Sequence, residues 1–332
     1  MLRVGILAAG GGTNLQAIID AVESRKITDV ELCFVLSNKP GVRALERART
    51  HGIKPIVVDM KSYADRAEFE KMLIETIDAE APDLIVLAGM MIAFGASASN
   101  VAAHAVTNVG LSRLVAGCVF PVGLMMVVLL GAELFTGDCL MAMGNAEGAC
   151  TIWDLIKFLF VVYVGNFVGS ILLAVVNVIS GQLNYSAGLL GAYTIKVAMG
   201  KVNMSFGQAL CSGILCNILV CAAVLMAMCA RDIVGKLFAC FFTIMLFVVA
   251  GYEHCIANMY YIPAGLIAAR NQNYVQVAMD TYGYTADQLA SLNLYGFFVK
   301  NLVPVTIGNI IGGAVLGLIL LYLHGYDKKK AA

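Results

Sequence analysis

The sequence predicts an all-α membrane protein preceded by a partial α/β segment. Of its 332 residues, 60% are hydrophobic and 13% are charged, whereas soluble domains carry about 25% charged residues. The charge is uneven, because 24 of the 44 charged residues (22 basic and 22 acidic) lie in the first 90 positions. Two later apolar runs are interrupted by Gly-x-Glu, at Gly131 and Gly251. These observations predict a soluble segment followed by membrane helices, two of which are broken.

The first part of the chain alternates predicted strands and helices. Residues 4–9 form an apolar run, a glycine turn follows at 10–14, and residues 15–22 have a helical pattern. A turn of this kind can seat a phosphate on the helix N-terminus, although it matches no complete nucleotide-binding motif. Further strands are predicted at 31–36 and 55–58, and further helices at 42–51 and 63–79. The alternation is typical of a parallel, Rossmann-like sheet.

The junction between the two parts lies near Leu84. Residues 84–87 could form a fourth strand, but residues 84–103 are also twenty positions without a charge, which is long enough for one span. An inserted segment must satisfy its own backbone, so we expect a helix from about Leu84. The expected domains are therefore an α/β fragment at 1–83, ending in a short linker at 80–83, a membrane domain at 84–326 and a basic tail at 327–332.

Six spans are predicted in the membrane domain, two of them interrupted. They are 84–103, 111–130 with a half-helix after Thr136, 152–180, 206–230, 237–250 with a half-helix after Asn258, and 297–323. Arg231 and Lys236 share one loop, and three lysines at 328–330 follow the last span. We expect a multi-pass protein of the plasma membrane. The positive-inside rule places this side of the membrane domain, and both termini, in the cytoplasm. The polar segment 270–295 is then external.

The second interruption contains the side chains most relevant to function. Glu253 and His254 lie side by side inside a run that also contains Gly251 and Pro263, which predict a broken helix there. Ionisable groups at such depth usually mark a pathway or a proton relay, and histidine can change charge near neutral pH. A core histidine that ties two helices together is the alternative. We expect Glu133 and Glu253 to be buried acceptors for backbone N–H groups freed by the breaks.

Several motifs, in order, resemble the formate/nitrite transporter family over roughly residues 87–326. They are the segments at 117–123, 131–137, 213–217, 251–259 and 304–309. The resemblance implies an aquaporin-like inverted repeat and a homopentamer in which each protomer has its own pore. It implies transport of small monovalent anions, formate first, with protons taking part, and leaves nitrite and hydrosulfide as alternatives.

The resemblance also implies roles for individual residues. His254 matches the central histidine, Thr136 lies in the first broken span and Asn217 lies near the histidine. The matches to the apolar constriction and to a funnel lysine are Phe120, Phe135, Phe247 and Lys201. The alternative for Thr136 and Asn217 is interhelical hydrogen bonding. The alternative for the three phenylalanines is ordinary packing, and for Lys201 it is a position in a solvated loop. Asn166 and Asn309, each beside a glycine, are expected to be structural.

The N-terminal part resembles the first half of glycinamide ribonucleotide transformylase. Gly12, Thr13 and Asn14 match that family's phosphate-binding residues. The second half of the family, with its catalytic residues and folate loop, has no counterpart here, so the fragment is expected to be inactive. A membrane-tethered formyltransferase and a binding module for a phosphorylated ligand are the rival interpretations.

Composition excludes some other functions. A net charge of zero argues against a nucleic-acid surface. The ten cysteines form no Cys-x-x-Cys pair, so neither a metal site nor a disulfide framework is expected. No cofactor, no catalytic residue and no cleavable signal peptide are expected. The expected partners are formate or a similar anion, protons, the lipid bilayer and other copies of the chain.

Overall fold

The structure is a computed structural model that describes residues 2–7, 13–25, 30–63, 68–69, 72, 76 and 87–324. The chain divides into two compact units, Met1–Leu84 and Ile85–Ala332. Each unit is described by itself below.

The first unit contains a small parallel sheet. Its elements are β1 (Leu2–Leu7), α1 (Thr13–Glu23), β2 (Val30–Ser37), α2 (Arg43–Thr50) and β3 (Lys54–Val57). The strand order is β1-β2-β3, and both pairings are parallel. Successive side chains of β2 enter opposite apolar clusters, since Val35 packs with α1 and α2 whereas Phe34 and Leu36 pack with Val58. This alternation follows from the two-residue period of a strand, and it confirms the partial α/β fold.

Several sequence predictions fall outside the described residues. They are most of the glycine loop with Gly12, the greater part of the helix at 63–79, the linker at 80–83, the first three residues of the span from Leu84, and the basic tail. Thr13 and Asn14 begin α1, but their side chains also lie outside the description. The phosphate-binding interpretation therefore stays a prediction.

The described part of the second unit consists of helices joined by turns and loops. Its first helices are α3 (Leu87–Ala103), α4 (Val109–Val119), α5 (Val122–Leu130), α6 (Phe135–Asp138), α7 (Ala142–Glu147) and α8 (Ile152–Ile179). They are followed by α9 (Leu189–Val202), α10 (Phe206–Cys229), α11 (Ile233–Ala250), α12 (Cys255–Ala268), α13 (Gln272–Tyr282) and α14 (Ala286–Leu289). A π-helical segment, Gly296–Leu302, leads into α15 (Val303–Leu323).

Five helical segments among the described residues are long and apolar enough to cross a membrane. They are Val109–Leu130, Ile152–Ile179, Phe206–Cys229, Ile233–Ala250 and Gly296–Leu323. Between 22% and 44% of an 18-residue apolar stretch in each is buried inside the protomer. Their remaining surface is available to lipid or to other subunits. The shorter apolar helices, Ala88–Ala103 and Cys255–Ala268, accompany them. The junction is thus helical from Leu87 onward, while the count of six spans stays a prediction.

The positions of the half-helices differ from those predicted. The first begins at Phe135 rather than after Thr136, and the second begins at Cys255 rather than after Asn258. Pro263 lies inside α12 without ending it, so the second break is confined to the residues that precede Cys255. The second half-helix begins early because the side chain of His254 accepts a backbone N–H and so caps the N-terminus of α12.

Helix α9 was not predicted. Its fourteen residues contain Lys196, Lys201 and two glycines besides apolar positions, and its length is below that of a membrane span. It packs against α12, where Gly265 lies against Ala198 and the carbonyl of Thr194. Lys201 is therefore in the last turn of a helix rather than in a loop.

Small residues bring the long helices into close contact. A Cβ atom at Gly308 of α15 would collide with the carbonyl oxygen of Leu210 on α10, and a Cβ atom at Gly89 of α3 would collide with the carbonyl of Asn166 on α8. Close backbone approach of this kind is the usual means of packing helices in membranes.

We expect Gly308→Val to weaken the α10–α15 contact. The added atoms have no space at the Leu210 carbonyl, and overpacking of this kind costs about 1–3 kcal/mol. The measurement is the thermal unfolding midpoint in detergent. Gly207→Ala, on α10 with no atom within 4 Å of the new Cβ, is the control and is expected to leave the midpoint unchanged. Equal midpoints for both variants would contradict this packing.

Candidate functional site

Two helix breaks define the site. Helix α5 ends at Gly131 with φ 69°, and α11 ends at Gly251 with φ 78°. Both angles lie in the left-handed region, which glycine enters without strain. Three further residues then run without helical structure before α6 or α12 begins, so the first backbone N–H groups of both half-helices need acceptors outside the helix.

One buried asparagine closes each break. Asn166 Oδ1 accepts a hydrogen bond from the Phe135 backbone N–H at 3.0 Å, and Asn166 Nδ2 donates to the Glu133 carbonyl at 3.1 Å. Asn309 Oδ1 accepts from the Cys255 N–H at 2.9 Å, and Asn309 Nδ2 donates to the Glu253 carbonyl at 3.0 Å. Both asparagine side chains are fully buried. Each amide thus bridges equivalent backbone groups of its own break.

This arrangement corrects the role expected for the two glutamates. Glu253 accepts from side chains, namely Lys201 Nζ at 2.8 Å, Asn258 Nδ2 at 2.7 Å and Asn301 Nδ2 at 3.4 Å. Glu133 is exposed rather than buried, and its side chain hydrogen-bonds with Asp138. The backbone amides are served by neutral asparagines because these can donate and accept at once, whereas an ionised carboxylate only accepts.

The Lys201–Glu253 pair is enclosed. The side chains are 14% and 7% exposed, respectively. Lys201 Nζ also lies 5.1 Å from the centroid of the Tyr261 ring. A charge pair withdrawn from water must be well hydrogen-bonded to be tolerated, and removal of one partner leaves the other uncompensated. Asn258 and Asn301 supply those additional hydrogen bonds to Glu253.

His254 is held in one orientation by two hydrogen bonds. Its Nδ1 accepts from the Ala257 backbone N–H at 3.1 Å, and its Nε2 lies 2.9 Å from Thr136 Oγ1. Because Nδ1 is an acceptor, the neutral ring carries its proton on Nε2, which donates to Thr136. An imidazolium would carry a proton on Nδ1 and would have to release the Ala257 N–H. The ring, 2% exposed, is therefore arranged as a neutral donor.

Two of the three predicted constriction residues meet beside this ring. Phe120 and Phe247 contact edge to face, with ring centroids 5.4 Å apart. Phe247 also stacks on His254 at 6.0 Å. Phe135 is equally buried but packs against Tyr163 at 4.8 Å. The structure therefore brings Phe120, Phe247, His254 and Thr136 together and gives Phe135 a different aromatic partner.

Asn217 links the two breaks. Its Nδ2 donates to the Thr136 carbonyl at 3.0 Å and to the Asn309 carbonyl at 2.6 Å. Its Oδ1 has no partner among the described residues. The residue is fully buried, so it fixes the first half-helix against α15.

Sequence reasoning missed Asn258 and Asn301 as partners of Glu253. Asn258 is an amide inside the apolar helix α12, and Asn301 follows Lys300 at the start of the last apolar run. These amides were the available signal. Asn301 lies in the π-helical segment, and its Nδ2 also donates to the Lys201 carbonyl at 3.0 Å. No group of three or more His, Cys, Asp or Glu residues that could hold a metal ion occurs within the described ranges.

The model of the formate/nitrite transporter family matches residues 84–323. The chain belongs to this family. The formyl transferase family model matches residues 2–112, and its overlap with the transporter match includes α3, which the structure shows to be a helix.

Curated relatives agree with this assignment. The chain is 42% identical over 218 residues to the formate channel FocA of Haemophilus influenzae, an alignment that covers 64% of this chain and 75% of the relative. It is 38% identical over 292 residues to a probable formate transporter of Methanothermobacter thermautotrophicus, covering 81% and 98%. A solved pentameric formate channel with formate bound superposes with a TM-score of 0.66 at 32% identity, covering 79% of this chain and 98% of the other.

We expect Asn309→Ala to destabilise the second unit. It removes three hydrogen bonds, to Cys255, Glu253 and Gly213, and each buried group left unpaired costs about 1–3 kcal/mol. The thermal unfolding midpoint in detergent is the measurement. Asn273→Ala, at an exposed position, is the control. A midpoint for Asn309→Ala equal to that of the control would contradict the bridging role.

Proposed function

We propose that the protein is a homopentameric channel for small monovalent anions, formate foremost, with one pore in each protomer. The observation that carries the proposal is the neutral His254–Thr136 pair, which adjoins the Phe120–Phe247 contact at the point where the two half-helices begin. The similarity to a pentameric formate channel with formate bound supports both the anion and the assembly.

The architecture proposed for the membrane domain has six spans arranged as an inverted repeat. The equivalence of the two breaks supports it, since each has a left-handed glycine, a glutamate two residues later and an asparagine bridge. Half-helices that begin inside a membrane point their positive N-terminal ends toward the midplane. An anion near Thr136 and His254 would experience both ends.

Proton coupling follows from the same geometry. Thr136 accepts from His254 Nε2–H, which leaves the Thr136 hydroxyl proton available for a passing solute. The neighbouring phenylalanine pair offers no compensation for charge, so an anion that enters it is favoured in its protonated form. We propose that formate takes a proton from a hydronium ion in the vestibule, which is left as water, and crosses as the neutral acid, while His254 remains a donor.

The remaining predicted residues receive supporting roles in this proposal. Asn217 holds the Thr136 carbonyl, and Phe135 fixes the start of α6 against Tyr163. Lys201, expected as a funnel cation, is proposed to compensate Glu253 and so to position the second break. The domain limits at 83 and 326, the cytoplasmic location of both termini and the plasma membrane as the site of action complete the proposal.

The N-terminal unit is proposed to lack formyltransferase activity. Its family match ends at residue 112, and from Leu87 the chain is helical and belongs to the other family match. The residues that would complete a transformylase sheet and its folate site are thus replaced by membrane helices.

We expect His254→Phe to lower formate uptake into proteoliposomes by about tenfold or more, or to leave a leak that is independent of pH. A buried group left without its hydrogen-bond partner costs about 1–3 kcal/mol, and about 1.4 kcal/mol corresponds to a tenfold change in rate. His254→Asn is expected to lose the pH dependence as well. The measurement is the initial uptake of labelled formate, compared with nitrite and hydrosulfide, across pH. His104→Asn, whose ring bonds Val101 and Ser186 instead, is the matched control. Unchanged flux with unchanged pH dependence in His254→Phe would refute the proposal.

Deletion of residues 1–79 is expected to leave pentamer assembly and formate flux intact, because the family match to the transporter starts at residue 84. Size-exclusion chromatography and uptake measurements check this. Loss of the pentamer would mean that the N-terminal unit takes part in assembly.

The purified full-length protein is expected to transfer no formyl group to glycinamide ribonucleotide above a buffer control. A folate-absorbance assay, run beside an intact transformylase as positive control, is the measurement. Product formation above the buffer rate would show that the N-terminal unit is catalytically complete.

A further inference from the structure

The enclosed Lys201–Glu253 pair leaves the pore without the funnel cation that the sequence suggested. Lys201 Nζ is 2.8 Å from Glu253 Oε1, and its side chain is 14% exposed. Its charge is therefore balanced inside the protomer. If a basic group concentrates anions before the constriction, it must be another residue.

Arg113 has the position that such a group requires. It lies on α4, four residues before Gly117 and seven before Phe120, a spacing that puts the three on one face of a helix. That face packs on α11, because a Cβ atom at Gly117 would lie 2.8 Å from Val249 Cγ2. Phe120, farther along, forms the aromatic contact with Phe247. Arg113 thus precedes the constriction by about two helical turns.

The guanidinium of Arg113 rests on the second helix break. A Cβ atom built on Gly251 would lie 2.6 Å from Nη1, 3.2 Å from Cζ and 3.3 Å from Nη2. Glycine at this position thus provides the left-handed turn and also the space for the guanidinium. The group lies beside the backbone that leads, three residues later, to His254.

The positive charge of Arg113 is not compensated within the described part of the protomer. The residue is exposed, and within residues 87–324 it donates no hydrogen bond and forms no ion pair. A guanidinium keeps its charge at every physiological pH and presents five N–H donors in a planar fork that fits a carboxylate in a bidentate manner. An exposed, uncompensated fork on the helix face that leads to the Phe120–Phe247 contact is suited to a small carboxylate.

We propose that Arg113 forms an entry site for the permeating monovalent carboxylate, on its own side of the Phe120–Phe247 contact. The site binds the anion weakly, raises its local concentration and passes it toward Thr136. Electrostatic focusing of this kind raises association rates by about 10- to 1000-fold at low ionic strength and loses its effect as salt rises. This inference rests on the proposed anion channel and adds a specificity residue to it.

The first test compares R113Q, R113K and wild type in proteoliposomes at formate concentrations well below half-saturation. R113Q is expected to reduce the initial rate by about tenfold or more at low ionic strength, and the difference is expected to shrink in high salt. R113K should retain most of the rate. R231Q, which removes the same charge at the opposite end of α11, is the control and should match wild type.

Equal rates and equal salt dependence for R113Q and wild type would overturn the inference while leaving the channel proposal intact. No formate flux through wild type would instead refute the channel proposal. A dependence of the R113Q effect on the fraction of anionic lipid would mean that the guanidinium holds a lipid phosphate, which also overturns the entry site.

The second test adds charge back after assembly, so that a folding defect cannot produce the result. The pentamer of R113C is treated with a methanethiosulfonate reagent that carries either an ammonium or a sulfonate group. The ammonium reagent is expected to restore low-salt uptake, and the sulfonate reagent to depress it. Wild type treated in the same way controls for Cys118, Cys211 and Cys229, which are exposed. Failure of either reagent to label R113C would show that a neighbouring subunit covers the position, and the inference would be wrong.

Discussion

The site depends on backbone hydrogen bonding in a medium that supplies no water. Each half-helix begins inside an apolar segment, and its first amides would be costly if left without acceptors. Asn166 and Asn309 meet this demand with one side chain each, and because their amides also donate, they hold the preceding glutamate carbonyl at the same time. The positions of Thr136 and His254 follow from these two bridges.

The second break is reinforced by charge. Glu253 is surrounded by Lys201, Asn258 and Asn301, which belong to α9, α12 and the π-helical segment before α15. Such a network ties three elements to the residue before His254, at the cost of removing two charges from water. The ring of His254 then has little freedom, since Ala257 occupies Nδ1 and Thr136 occupies Nε2. A fixed neutral donor beside an aromatic constriction is better suited to the passage of a neutral acid than to tight binding of an anion.

Much of this could be predicted from the sequence, and the errors have physical causes. The repeated Gly-x-Glu motif located both breaks because only glycine enters the left-handed turn easily. The starts of α6 and α12 were placed too late. The N-terminus of α12 is capped by the His254 side chain, whereas the first N–H of α6 is accepted by Asn166, 31 residues away. Neither interaction produces a local sequence pattern. The sequence predicts that Glu133 and Glu253, rather than Asn166 and Asn309, accept the backbone N–H groups at the breaks. A carboxylate is the more conspicuous polar group in an apolar run. Helix α9 and the contact of Arg113 with Gly251 depend on packing between segments far apart in sequence, which no local pattern reveals.

The most direct test of this account is the protonation state of His254 in the assembled channel. The protein has four histidines, so ¹⁵N-histidine labelling with solid-state NMR in proteoliposomes, assigned by difference from His254→Asn, isolates the signal. The account predicts one neutral tautomer, with the proton on Nε2 and none on Nδ1, that persists from about pH 5 to pH 8, the range in which an unperturbed histidine titrates. A proton on Nδ1, whether in the other tautomer or in an imidazolium that appears on acidification, would contradict it.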